Sequence, residues 1–190
     1  MLKTVMLLVL VTLSVFSHVQ AEASRLPSEQ VKSVDIPASV SEQVKNQADK
    51  LVKATLSEDY DGVIALTYPP IIAKIGGPSM AAKIAYEAVR LLNERGVRIA
   101  NLTVGEPINY LTSDTKQLVV LNAQLELTSE QGKVNTQSFL LALKEPNQDW
   151  LFIDNNALKN VDELKVYFPG LPDDFSLPQK SVKFTPTNND

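Results

Sequence analysis

The hydrophobic period of this chain changes at Gly96, and that change limits the fold more than any other feature of the sequence. Ahead of it, Ala81, Ile84, Ala85, Ala88, Leu91 and Leu92 recur at three and four residues, the spacing of one helix face. Lys83, Glu87, Arg90 and Glu94 fall elsewhere on the same helix. Gly76-Gly77-Pro78 opens this helix, with proline in its first turn, and Gly96 lies just past its end. Beyond Gly96 the period becomes two. Arg98 to Val104 reads as a strand ended by Gly105-Glu106-Pro107, and Leu118 to Thr128 as a long strand. In the long strand Val119, Leu121, Ala123, Leu125 and Leu127 share one face, and Asn122, Gln124 and Glu126 share the other. Ser129 to Lys133, containing Gly132, fits a hairpin turn into a strand from Val134 to Lys144. Glu145 to Asp149 fits a second turn before Trp150 to Asp154. Such short connections require antiparallel pairing.

The segment before the long helix is also helical. Ser39 and Glu42 have the spacing of a capping box, and Val44, Ala48, Leu51, Val52 and Thr55 follow at helical spacing to about Leu56. Ser57 is placed to cap a second, shorter helix, with Glu58 and Asp59 in its first turn and Tyr68-Pro69-Pro70 at its end. Ile71 to Ile75 is an apolar connector, strand or helical turn. After the strands, Leu158, Val161 and Leu164 mark one more helical turn, with Asn160 and Glu163 resembling a cap. Helices followed by strands specify an α+β fold, with the N-terminal helices packed on a curved, mainly antiparallel four-stranded sheet.

Both faces of that sheet are expected to be covered. Trp150 and Phe152 alternate with Leu151 and Ile153, and Leu140 and Ala142 alternate with Phe139, Leu141 and Leu143. A half-solvated sheet would alternate apolar with polar. The second face calls for a homodimer through the sheet, the preferred arrangement, or for cover by Leu158, Val161, Leu164, Phe168 and Phe175 of the chain itself.

The ends of the chain have a different character. Lys3, the uncharged run from Val5 to Phe16 and the small residues of Val19-Gln20-Ala21 have the form of a secretory signal peptide. An apolar core of about a dozen residues is too short to span about 30 Å of hydrocarbon. Residues 1–21 are therefore read as a signal peptide, 22–38 as an exposed leader, 39–168 as one α+β domain and 169–190 as an extended, proline-containing tail. The product is expected in a periplasm or outside the cell, with no stable membrane anchor after cleavage.

Removal of Lys3 leaves one fewer than the 18 basic residues against 22 acids, and no basic cluster suited to nucleic acid. His18, the one histidine, leaves with the signal peptide, and there is no cysteine. The mature chain then offers no imidazole or thiolate for a metal, no Ser-His-Asp or Cys-His catalysis and no disulfide. No cofactor is expected. Ser57, Asp59, Asp61 and Gly62 imitate part of a calcium loop, but Tyr68 stands where the bidentate glutamate belongs, so these acids are read as a helix start.

The Asp59-Tyr60 helix running to Tyr68-Pro69-Pro70, the Gly76-Gly77-Pro78 helix start and the final Trp150-Leu151-Phe152-Ile153-Asp154 strand resemble the nuclear transport factor 2-like, or cystatin-like, superfamily over roughly residues 44–154. The resemblance implies a conical pocket enclosed by the long helix and the bent sheet. Some members use that pocket for isomerase, dehydratase or cyclase chemistry and many use it only to bind. Tyr60, Tyr68, Tyr86 and Trp150 are the expected wall residues, each an apolar body with a polar tip. Asp154, with Tyr60, is the candidate proton-transfer pair; the bland reading of Asp154 is the start of a turn with Asn155 and Asn156. Two functions follow: a non-catalytic binding or assembly module for a small apolar ligand or a protein partner, or a small enzyme using the Asp/Tyr pair. An Asp154 or Asp61 carboxyl inside a closed pocket beside a tyrosine hydroxyl separates the second from the first.

Overall fold

In a computed structural model of the protein, residues 32–33 and 35–187 are described. The signal peptide and most of the leader expected at the N-terminus lie outside the described residues. Among those described, no helix is long and apolar enough to cross a membrane.

The chain forms an α+β structure. Strand β1 (Lys32–Ser33) precedes helices α1 (Ala38–Leu56), α2 (Tyr60–Leu66), α3 (Pro69–Lys74) and α4 (Pro78–Glu94). Strands β2 (Arg98–Thr112), β3 (Gln117–Ser129), β4 (Gly132–Lys144) and β5 (Leu151–Asp154) follow. Helix α5 (Val161–Tyr167) and strand β6 (Ser181–Pro186) complete it.

The local signals account for most boundaries, with two corrections. Helix α1 begins at Ala38 rather than after Ser39. Pro37, fixed in an extended conformation, offers its carbonyl to Val40 and Ser41, and Ser39 makes no cap. Helix α2 is capped by Asp59, whose carboxylate accepts from Gly62 N at 2.9 Å, rather than by Ser57. The Ser57 hydroxyl donates back to Lys53 O instead and sits at the end of α1. The apolar connector at Ile71 resolves as helix, since Pro69 and Pro70 occupy the first turn of α3, where their missing N–H groups cost nothing.

The sheet is six-stranded rather than four-stranded, in the order β1-β2-β3-β4-β5, and every neighbouring pair of strands is antiparallel. Beyond the four strands expected, β1 pairs with the far end of β2, and β6 lies along β4. Strand β4 carries two partners end to end on its outer edge: β5 against Leu140–Leu143 and β6 against Gly132–Gln137.

Strand β2 does not end at Gly105-Glu106-Pro107. Val104 pairs with Ala123 and Pro107 with Leu121, so Gly105 and Glu106 oppose Asn122 alone, which is a β-bulge. The bulge accommodates Pro107, which could not donate to a regular ladder. Register also shifts between Ile99 and Asn101 and between Pro107 and Asn109, and such irregularities bend a strand. At the bulge Glu106 forms an ion pair with Lys45 of α1, helping to hold the helix across the bent strand.

Each sheet face carries its own core. Val119, Leu121, Leu140, Ala142, Trp150 and Phe152 pack with Val44 and Ala48 of α1. On the other face Leu118, Val120, Leu141, Leu143 and Ile153 pack with Leu158, Leu164, Phe168 and Leu171. The alternation read from β4 and β5 is thus realised, and α5 with the chain beyond it covers the second face. Burying each of these large side chains stabilises the fold by roughly 1.5–3 kcal/mol. One polar network adds to the hydrophobic cover. Lys116 Nζ donates to Tyr68 Oη and to the carbonyl of Tyr167 at the end of α5, both at 3.0 Å, while Tyr68 donates to Glu145 at 3.1 Å.

Candidate functional site

A cavity remains between the helices and the first face of the sheet. Its volume is about 130 Å³. That is close to the roughly 150 Å³ of an apolar cavity able to hold benzene, and below the usual range for drug-sized ligands.

The walls follow from the periodicities of the elements. On β3 the alternation that exposes Asn122 and Gln124 turns Ala123 and Leu125 toward the cavity. Their partners in β4 are Ser138 and Thr136, and those in β2 are Val104 and Leu102, so six lining residues form a patch across three strands. Helix α4 supplies Ala85, Ala88 and Val89, helix α1 Leu51 and Val52, and helix α2 Tyr60 and Val63. The small side chains of Ala85 and Ala88 help leave space between α4 and the sheet.

Polar groups gather where β5 ends. Asp154, Asn155, Asn156 and Lys180 line the cavity, the first three half-buried and Lys180 exposed, so this side of the cavity meets solvent. Asn156 joins the two charged residues. Its backbone N–H and its Nδ2 donate to Asp154 Oδ1 at 2.8 and 2.7 Å, and its own Oδ1 accepts from Lys180 Nζ at 2.8 Å. No direct ion pair within 4.0 Å links Asp154 to Lys180 among the described residues.

Burial pushes the Asp154 carboxyl up from 3.8 to about 6, overcoming the opposing pull of the Asn156 hydrogen bonds and the Lys180 charge. Burial also lowers the Lys180 ammonium, opposed by the charge on Asp154. Both readings of Asp154 hold together: it starts the turn with Asn155 and Asn156, and it faces the cavity.

The four aromatic residues expected in the wall are not brought together. Tyr60 lines the cavity, but its hydroxyl reaches Glu58 at 3.4 Å on the exposed side, and its ring meets Tyr86 edge-on at 6.4 Å. Burial and then Glu58 raise the Tyr60 pKa. Tyr86 is 55% exposed, because it sits one position around the helix from the inward Ala85. Tyr68 is buried in the core of the opposite face, tied to Lys116 and Glu145. Trp150 faces the helices as its parity requires but belongs to the packed core with Val44 and Ala48, and Lys144 Nζ stands 5.8 Å from its ring centre. Asp61 is not among the lining residues.

Lys180, Thr136 and Ser138 are lining residues that the sequence did not single out, and Asn156 entered only as a turn partner of Asp154. Ser138 and Thr136 had one available signal, as polar residues on the same strand parity as the apolar Leu140 and Ala142. Lys180 had none, since its contact with Asn156 spans 24 residues. No family model, curated protein or solved structure gives a significant match to this chain.

Proposed function

We propose that this protein is an exported, non-catalytic binding module that holds a small, mostly apolar molecule in the cavity between its helices and the bent sheet. One observation carries this reading. Leu51, Val52, Val63, Leu102, Val104 and Leu125 converge on an open space, while the polar lining groups at Asp154, Asn156 and Lys180 collect where that space meets solvent. Left in water, the apolar wall costs on the order of 25 cal/mol per Å², so an apolar occupant is favoured. Export rests on the form of residues 1–21, and the conical shape of the pocket on the resemblance carried by the helix and strand motifs.

The enzymatic alternative, an isomerase, dehydratase or cyclase, draws support from Asp154, a carboxyl that takes up its proton near pH 6 inside an apolar cavity. Against it stands Tyr60, whose hydroxyl is engaged with Glu58 outside rather than beside Asp154.

The test combines native mass spectrometry of the exported protein, to find a co-purified small molecule, with calorimetric titration of toluene. Binding below millimolar concentration is expected in the native protein and should be lost in Ala88→Trp, which fills the space between α4 and the sheet. Failure of toluene to bind, or equal binding by the folded Ala88→Trp variant, would refute the reading.

A further inference from the structure

We infer that the ligand is an uncharged amphiphile of about six to eight non-hydrogen atoms, with a hydroxyl or primary amide head that donates to Asp154 and accepts from Lys180. This rests on the binding reading above and deepens it.

The size follows from the cavity. Its volume of about 130 Å³, close to that of a cavity that holds benzene, matches a short chain or single ring of that many atoms and excludes a full lipid. The apolar residues of α1, α4 and β2 surround its body. Its head lies beside Lys180, the exposed member of the lining.

The charge of the head follows from the arrangement around Asn156. One carboxyl and one ammonium face the same end of the cavity and make no direct contact, each held instead by the neutral side chain of Asn156. That carboxamide presents a donor to Asp154 and an acceptor to Lys180, and so displays the chemistry that a ligand head would need. An uncharged head with one donor and one acceptor can add a second bridge in parallel. It leaves the balance of one negative and one positive charge unchanged.

A charged head disturbs that balance. A carboxylate would pair with Lys180 but repel Asp154, and an ammonium would pair with Asp154 but repel Lys180. In a partly desolvated site each uncompensated charge is more costly than in water. The discrimination therefore comes from two opposite charges kept apart, each of which rejects one class of competitor.

Hexanol, hexanamide, hexanoate and hexylamine share one apolar chain and differ in their heads. Their binding is to be measured by calorimetric titration at about pH 7.5, above the range in which the Asp154 carboxyl titrates. Hexanol or hexanamide is expected to bind at least about tenfold more tightly than either charged compound. Lys180→Met should shift the preference toward hexylamine by about tenfold, and Asp154→Asn should shift it toward hexanoate by a similar factor. Thermal melting establishes that both variants fold. If hexanoate or hexylamine binds the native protein as tightly as the neutral compounds, or if neither variant moves the preference, the inference is overturned while the binding reading stands. If neither toluene nor any of the four compounds binds, the binding reading itself fails.

Discussion

A Cβ built on Gly132 would stand 2.2 Å from the carbonyl oxygen of Thr185. Gly132 begins β4 at φ +148, paired with Pro186 of β6, and the last strand docks on the sheet only because this position carries no side chain. Beside the same turn, Thr187 N–H donates to the Gln131 carbonyl at 3.0 Å. Lys180, which lines the cavity, directly precedes β6 at the end of the strand opposite to Gly132.

Gly132→Ala is expected to loosen β6 and to lower stability by about 1–3 kcal/mol, the usual cost of forcing an added group against packed backbone. Hydrogen exchange of the amides in 181–186 should accelerate well before that of β3 and α1. Unchanged protection of 181–186 would show that the backbone absorbs the methyl group without releasing the strand.

The pH dependence of Asp154 has a defined sign. The folded carboxyl holds its proton up to about pH 6, whereas the unfolded chain releases it near 3.8, so the folded state binds the extra proton in between. The contribution of Asp154 to stability is therefore present at and below the unfolded value and is lost as pH rises to about 6. Two pKa units correspond to about 3 kcal/mol, an upper bound here because the group borders a solvent-connected cavity. Asp154→Asn should remove this slope, its stability relative to the native protein rising from about pH 4 to about pH 7 and then levelling. A carboxyl resonance that titrates at the ordinary aspartate value would contradict the expectation.

Lys116→Met should lower stability by about 1–3 kcal/mol. The change retains the aliphatic stem but removes the donors to Tyr68 Oη and to the Tyr167 carbonyl, which together tie the α3–sheet junction to the end of α5. Glu145→Gln should cost less, because its amide oxygen can still accept from Tyr68. Denaturant melts of both variants check the order; an equal effect would mean that the Lys116–Glu145 ion pair, at 3.3 Å, outweighs the hydrogen bonds.

Ending the chain at Asn156 uncovers Leu118, Leu141 and Ile153, which α5, Phe168 and Leu171 bury in the full protein. Light scattering is expected to show a monomer for the mature chain and aggregation for the shortened one. Dimers of both would instead support the homodimer through the sheet, and a stable, soluble monomer of both would mean that the face needs no cover.

The sequence by itself determined the class of the fold and the facing of its strands. Helical spacing before Gly96, alternation after it and short turns between strands are local properties, legible along one dimension because side-chain direction follows the backbone period. Residue parity was sufficient to assign Leu140 and Ala142 to one face and Leu141 and Leu143 to the other. Parity does not say where along a face a residue lies, and there the tertiary structure decided. Trp150 has the facing of a wall residue but meets α1, and Tyr86 misses the cavity by one position on α4. The bulge at Gly105 and Glu106 turned an apparent strand end into a bend, because pairing with β3 continues beyond it. Asp154 was legible as a turn former with a carboxyl that could be buried. Its link through Asn156 to Lys180 was not, because it depends on β6 docking along the outer edge of β4, a long-range pairing for which Gly132 leaves room but which no local pattern marks.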